Sequence, residues 1–153
     1  MLGSPRRIAA AIAVVATIAV LIPASASASG EQRMLGAINH VRQAHGLATL
    51  RPSGNLSASA RSYSAYMLAR DYFGHMSRIR ASWSNWGFVG ENLAMYPGWG
   101  TRVGSIVRDW MHSPAHRQVL LNPRFRAAGI GYARGKMGRS RATTVTLHVG
   151  RAK

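Results

Sequence analysis

The chain has 153 residues, with 20 Lys and Arg against 4 Asp and Glu, 6 His, no Cys and a formal net charge of +16 at pH 7. This length suits one domain with a single core, and the lack of Cys excludes disulfides and Cys-ligated zinc. The charge favours contact with anionic polymers or membrane surfaces without specifying one, and nucleotide-dependent chemistry is not indicated because neither a G-x-G-x-x-G nor a Walker sequence occurs.

The first 28 residues have the three parts of a secretory signal peptide. Two arginines precede an apolar run from Ile8 to Ile22, and A-x-A sequences follow it. We expect cleavage after Ala26 or Ala28, because this run is shorter than the roughly 20 residues of a membrane span; an uncleaved anchor is the alternative. Cleavage leaves residues 29–153 as one monomeric domain of net charge +14, secreted or envelope-associated and without a transmembrane segment.

Two amphipathic helices are predicted in the first half of this domain, over residues 31–46 and 55–70. Their apolar faces comprise Met34, Leu35, Ile38 and Val41 in the first helix and Leu56, Ala60, Tyr63 and Met67 in the second. Ser53 or Asn55 can cap the second helix. The short apolar segment between the helices, which ends at Pro52, is predicted to be extended.

Residues 71–100 lose the helical period and are rich in Gly, Ser, Asn and aromatic residues. We expect a long irregular region there. Loops of this length are usually functional or disordered, and the many aromatic side chains argue against disorder. A third helix follows, with Thr101 as its cap and Trp110 on its buried face. Ser113 as N-cap and Pro114 as the first helical residue predict a fourth helix.

Two strands are predicted at 127–133 and 143–149, joined by a basic, glycine-rich link that indicates an antiparallel pair. In the second strand Val145, Leu147 and Val149 face one way, and Thr144, Thr146 and His148 face the other. Helices first and strands last indicate an α+β fold.

The six histidines are the first candidates for chemistry, and most of them have an ordinary interpretation. His40 and His45 are predicted on the solvated surface, and His148 on the polar face of its strand is interpreted in the same way. His112 and His116 have the spacing of an H-E-x-x-H zinc helix, but Pro114 separates them and no Glu follows His112. A zincin-like protease is therefore not indicated.

His75 and Glu91 also have structural interpretations when each is taken singly. His75 follows Gly74 at the end of the second helix, where an imidazole can bond the last carbonyls. Glu91 can serve as a cap or pair with an arginine. Nothing in the sequence supports Glu91 with Asp109 as the paired carboxylates of a glycosidase, and no G-x-S-x-G elbow occurs.

Five segments then follow one another in an informative order: INHVRQAHGLATLRPSGNLSASARSYSAYM, DYFGHMS, GENLA, WMHSPAHRQVLLNP and GIGYA. From about Leu35 to Val149 this order resembles the bacterial branch of the CAP superfamily. This is the SCP-domain group that includes cysteine-rich secretory proteins, venom antigen 5 and plant pathogenesis-related proteins. The resemblance implies a single-domain α-β-α sandwich, in which a small antiparallel sheet is flanked by helices. Asn39 and Arg42 resemble the N-x-x-R element of the family, for which we expect a structural role.

The resemblance also implies a surface cleft in which His75, Glu91 and His116 converge. Many members have two His and two acidic residues there and can bind a divalent metal such as zinc. Ser113 stands where many relatives have the second acidic residue, which removes one carboxylate. We expect Glu91 to accept hydrogen bonds from one or both imidazoles, and Asn92 to fix the loop backbone; Ser113 and Asn92 are thus predicted to support the cleft.

Three functions are compatible with these features, and the first is favoured. It is a secreted scaffold that binds a lipid, an envelope component or a protein through the His/Glu cleft, without turnover. The second is a metal-assisted hydrolase of peptide or cell-envelope bonds, with a zinc ion held by His75, Glu91 and His116. The third is a binder of anionic surfaces or nucleic acid. It ranks last because the basic residues are dispersed and no specific nucleic-acid-binding signature occurs.

Overall fold

The computed structural model of the chain describes residues 25–77, 79, 86–100 and 102–153, with side chains from residue 30 onwards. The helices are α1 (Ser25–Ala44), α2 (Gly54–Ala69), α3 (Val103–His112) and α4 (Pro114–Leu120), and the strands are β1 (Arg51–Pro52), β2 (Trp86–Pro97), β3 (Ala127–Met137) and β4 (Ser140–Ala152). The predicted α+β class is confirmed. Residues 1–24 of the predicted signal peptide, which spans residues 1–28, lie outside the described residues.

The four strands form one sheet in the order β1-β3-β4-β2. The predicted antiparallel pairing of the last two strands is confirmed, with Gly138 at positive φ in the turn between them. Strand β2 pairs antiparallel with β4, and the short β1 adds a parallel edge beside β3. The three long strands are thus the antiparallel sheet that the family resemblance implies, and β1 makes the whole sheet mixed.

Helices cover both faces of this sheet. On one face Val145, Leu147 and Val149 pack in the main core with apolar residues of α1, α3 and α4. On the other face the hydroxyls of Thr144 and Thr146 hydrogen-bond to Ser64 of α2. The expectation that His148, on this polar face of β4, is solvated is therefore wrong, because α2 covers the face and His148 is fully buried.

Two glycines of β3 allow α2 to approach the sheet closely. A Cβ atom at Gly129 would overlap the backbone of Leu56 and Ser57, and one at Gly131 would overlap the backbone of Ala60 and Arg61. Glycine within a strand often marks such a close approach. The sequence G-I-G therefore fixes how α2, which forms one wall of the site described below, lies on the sheet.

The predicted helices are confirmed in their buried faces. Leu56, Ala60 and Met67 are fully buried in α2, which Ser53 caps by accepting a hydrogen bond from the Leu56 amide. Trp110 of α3 is buried, and its indole N–H donates to the carbonyl of Leu93 over 2.8 Å. The predicted cap Thr101 lies outside the described residues, and α3 begins at Val103.

Strand β2 corrects the prediction that residues 71–100 are irregular throughout. It lies at the edge of the described sheet and pairs with β4, so half of its residues are only partly buried and the strand lacks a clear alternation of apolar and polar side chains. Its glycines further mask the strand pattern. One of them, Gly90, leaves room for the ring of Phe125, which a Cβ atom would meet at 2.7 Å.

Asn39 and Arg42 have the structural role expected of them. The Asn39 side chain exchanges two hydrogen bonds with the backbone of Leu50, of 3.0 and 2.8 Å. The fully buried Arg42 donates to the carbonyls of Ala48, Leu120 and Asn122. These bonds join α1 to the loop after it and to the end of α4.

Candidate functional site

A buried carboxylate, Glu91, lies at the centre of the candidate site. The register of β2 and β4 places Glu91 directly opposite His148, a position from which side chains on one face of a sheet interact. The Nε2 atom of His148 lies 2.9 Å from Oε2 of Glu91. The Glu91 side chain is only 6% exposed and that of His148 is fully buried, so this pair lies inside the molecule.

His75 reaches the same carboxylate from the segment that follows α2. Its Nδ1 atom lies 2.8 Å from Oε1 of Glu91, and the backbone N–H of Met76 donates to the same oxygen over 3.1 Å. The phenol of Tyr63 donates to the carbonyl of Gly74. Burial, followed by the charge of Glu91, raises the pKa of Tyr63 to about 12, which keeps this donor protonated. The segment is thus fastened to α2 and to the sheet.

The hydrogen bonds of Glu91 determine which imidazole nitrogens carry a proton. An ionised carboxylate only accepts hydrogen bonds, so Nδ1 of His75 and Nε2 of His148 both donate to it. Nδ1 of His148 is buried and without a partner among the described side chains, and a proton there would be a buried donor without an acceptor. In neutral His75 the lone pair is consequently on Nε2, in a side chain that is 59% exposed.

His116, the third residue of α4, lies beside His75. The centroids of the two imidazole rings are 6.3 Å apart and the rings are tilted by 45°. Burial, and secondly the proximity of His75, lowers the pKa of His116. The neutral imidazole of His116 therefore persists to a lower pH than that of an ordinary histidine.

Asn92 and Ser113 contribute to the site in different ways. The fully buried Asn92 donates from Nδ2 to the carbonyl of His116 over 3.0 Å. It lies on β2 and holds the backbone of α4, so the expectation that it fixes a loop is corrected. Ser113 occupies the N-cap position of α4 as predicted, but its side chain makes no capping hydrogen bond.

The structure thus brings His75, Glu91 and His116 close together. Of the other four histidines, only His148 joins this cluster. His40, His45 and His112 are exposed. His148 was interpreted as solvated and is instead a buried partner of Glu91. The only signal in the sequence was the long uncharged stretch around it, which is typical of a strand buried on both faces.

A catalytic zinc site has three protein ligands and one open position, the number of ligands that His75, Glu91 and His116 would supply. Both oxygens of Glu91 already accept hydrogen bonds, and Glu91 orients His75 as an outer-shell carboxylate does. Within the described ranges no group of three His, Cys, Asp or Glu is placed to hold a metal ion. Zinc binding by His75, Glu91 and His116 stays a prediction.

A groove of about 850 Å³ adjoins the cluster, between α2 and the segment that carries His75. It is lined by Asn55, Ala58, Ser59, Ser62, Tyr63, Tyr66, Tyr72, His75, Met76 and Ser77. His75 belongs to both the groove and the cluster. Sequence reasoning missed this surface, although Asn55, Ser59, Ser62 and Tyr66 recur at helical spacing on a stripe about 100° around α2 from its apolar face.

In the part of the chain that the structure describes, no helix has the length and apolar character needed to cross a membrane.

Comparison with curated proteins identifies relatives in Bacillus subtilis. The chain is 34% identical over 119 residues to the uncharacterized protein YkwD, a match that covers 72% of this chain and 44% of YkwD. It is 29% identical over 114 residues to the uncharacterized membrane protein YlbC, covering 69% of this chain and 32% of YlbC. The matches thus span less than half the length of these curated relatives.

Solved structures share the fold. An extracellular protein containing an SCP domain from Bacillus anthracis superposes with a TM-score of 0.67 at 22% identity, over 88% of this chain and 45% of that protein. An outer surface protein from Borrelia burgdorferi superposes with a TM-score of 0.60 at 21% identity, over 80% of this chain and 92% of that protein. The model of the CAP family, described as the cysteine-rich secretory protein family, matches residues 35–149. The chain belongs to the CAP family.

Proposed function

We propose that this CAP domain is a secreted binding domain whose ligand contacts the exposed edge of His75 and the groove beside it, without being turned over. The observation that carries this proposal is the contrast within one hydrogen-bonded pair. Glu91 is 6% exposed, whereas the His75 side chain that it holds is 59% exposed. A buried charge is thus used to orient a side chain that opens onto a groove.

The energetics support a binding role for this arrangement. Burying a carboxylate is costly unless hydrogen bonds compensate, and Glu91 has three donors, from the segment after α2 and from β4. Binding sites combine a concave surface with a few oriented polar groups. His75 and the neighbouring groove have both properties.

Secretion is part of the proposal. The predicted signal peptide at residues 1–28 supports it, and so do the descriptions of two structural relatives as an extracellular protein and an outer surface protein. The net charge of +14 expected after cleavage, which is the +16 of the full chain less Arg6 and Arg7, would also favour retention near an anionic envelope.

Cosedimentation with purified cell walls and, separately, with membrane vesicles of Bacillus subtilis tests the proposal on the full chain. His75→Ala should weaken binding to one of these fractions by about tenfold or more, because it removes the oriented group. His40→Ala, at an exposed histidine of α1, should bind like the unaltered protein. Equal binding by the two variants would overturn the role of His75, as would no binding of the unaltered protein to either fraction.

A further inference from the structure

We infer that the groove between α2 and the segment that carries His75 binds an uncharged glycan. This inference names the ligand class of the proposed function, and it rests on that function for the assignment of the groove as the binding surface. It is carried by three properties of the described part of the groove: the hydrogen-bonding groups of its lining, the lack of Lys, Arg, Asp and Glu in that lining, and its exposed aromatic rings.

The lining is rich in groups that both donate and accept hydrogen bonds. Seven of the ten residues that line the described groove carry a hydroxyl or a side-chain amide, and only Ala58 and Met76 are aliphatic. A sugar presents many hydroxyls that need partners of this kind. An acyl chain would leave those groups without partners in a water-excluding contact, which is costly. The lining therefore favours a glycan over a lipid.

The described lining also contains no Lys, Arg, Asp or Glu, although the chain has 20 Lys and Arg. A phosphate-containing polymer would be met by arginines or lysines along its path. Arg70 packs against the ring of Tyr66, with its guanidinium carbon 5.7 Å from the ring centroid, and is not among the lining residues. The described lining thus favours a ligand without charge, in a protein whose overall charge favours anions.

Two tyrosine rings are exposed at the groove, and the ring of Tyr66 is held in place by a neighbouring ring. Tyr66 is 49% exposed and Tyr72 is 47% exposed. The ring of Tyr63 stacks on Tyr66, with centroids 5.9 Å apart and planes 13° apart, and the Tyr63 phenol is fixed by the Gly74 carbonyl. Because Tyr63 and Arg70 both pack against the ring of Tyr66, the C–H face of a pyranose would pack on the exposed part of that ring and on Tyr72. Tyrosine loses little conformational entropy in such a contact.

The size of the groove fits an oligosaccharide. Its volume of about 850 Å³ lies near the upper end of the range of roughly 300–1,000 Å³ for ligand pockets. A single sugar would fill only part of it, whereas a short chain could run along the polar face of α2 towards His75.

Calorimetric titration of the full chain with chitotetraose and with cellotetraose tests the inference. At least one of them should bind, and the affinity should change by less than about twofold between about 50 and 500 mM salt, because an uncharged ligand releases no counterions. Tyr66→Ala and Tyr72→Ala should each weaken binding by about tenfold. Trp99→Ala, at an aromatic side chain that is 53% exposed and does not line the groove, should bind normally.

Several results would overturn the inference: no binding of either sugar, binding that disappears with salt, or equal binding by the Tyr66→Ala and Trp99→Ala variants. Binding to phosphatidylcholine vesicles in place of the sugars, lost in Tyr66→Ala, would assign the groove to lipid. Thermal melts show whether each variant is folded.

The same set of variants separates this inference from the proposed function. If His75→Ala abolishes cosedimentation with cell walls or membranes while neither sugar binds, the proposed function stands and the glycan inference fails. If a sugar binds through Tyr66 and Tyr72 but His75→Ala changes neither assay, the glycan inference stands and the role of His75 fails.

Discussion

Arg42 and Glu91 are both charged side chains buried in this domain, and their surroundings differ. Arg42 is fully buried, and its partners are the backbone carbonyls of Ala48, Leu120 and Asn122. Glu91 is 6% exposed, and its partners are two imidazoles and one backbone amide. The contacts of Arg42 end inside the molecule, whereas those of Glu91 continue to the surface through His75.

This difference separates a structural charge from a candidate functional one. Both residues are hydrogen-bonded at more than one atom, so the number of bonds does not distinguish them. What distinguishes them is whether a partner retains an unused polar atom that a ligand can reach. By this criterion Arg42 should matter for stability alone, and Glu91 for both stability and binding. The following predictions test that distinction, from the largest expected effect to the smallest.

Arg42→Ala should have the largest effect on stability. It leaves three carbonyls without their donor. Each buried acceptor left unsatisfied costs about 1–3 kcal/mol, so we expect a loss of about 3 kcal/mol or more. Urea unfolding followed by circular dichroism measures the loss. Arg33→Ala, at an exposed position of the same helix, should change the free energy of unfolding by less than about 0.5 kcal/mol. Similar losses in both variants would remove the special role of Arg42.

Glu91→Gln should lower the free energy of unfolding by about 1–3 kcal/mol, because an amide cannot accept hydrogen bonds at both of its polar atoms and one buried donor loses its acceptor. Unlike Arg42→Ala, it should also change the environment of His75, which ¹⁵N NMR of the imidazole reports. Asp109→Asn, at an exposed carboxylate of α3, is the matched control. An unchanged His75 spectrum in folded Glu91→Gln would contradict the proposed orientation.

His148→Leu should have a smaller effect, of about 1–2 kcal/mol, since it removes one donor to Glu91 and leaves the other two. The double variant with Glu91→Gln should lose less stability than the sum of the single losses, with a coupling of about 0.5 kcal/mol or more. Urea unfolding of the four proteins measures this cycle. Strict additivity would show that the 2.9 Å contact between these side chains contributes no coupling.

The smallest expected effect is a pH dependence from His116. Its pKa is lowered from 6.5 by burial and by His75, so the unfolded chain takes up this proton before the folded one. Stability should therefore fall as the pH drops through 6.5 towards the lower pKa of the folded state, and rise again with pH. His116→Asn should flatten this part of the urea-midpoint profile, and His40→Asn should leave it unchanged. If the part of the profile that His116→Asn removes instead showed stability rising as the pH falls, the lowered pKa of His116 would be contradicted.

The sequence predicted the helices well because their signal is local. The apolar faces of α1 and α2, the burial of Trp110 and the start of α4 at Ser113-Pro114 all follow from spacing and cap chemistry within a few residues. Strand β2 was missed because its edge position and its glycines remove the alternation on which strand prediction depends. The meeting of His75, Glu91 and His116 was implied by the family resemblance and could not be obtained from their spacing.

His148 shows what a single sequence leaves open. Its place on the polar face of β4 was predicted correctly, but whether that face meets water depends on α2, which lies far earlier in the chain. The same non-local packing creates the groove. The polar face of α2 would be unremarkable on an isolated helix and becomes a wall only when the segment after it returns alongside.

The contacts of Gly129 and Gly131 with the backbone of α2 have a consequence for how a ligand would be selected. With no side chain at these two positions to hold the helix away from the sheet, α2 has little freedom to slide or tilt once the domain has folded. A ligand would then contact a helix that has already lost its conformational entropy on folding, so binding would carry little further entropic cost from ordering this helix. Discrimination among ligands would accordingly depend on shape and hydrogen-bond match, with little contribution from adjustment of the helix.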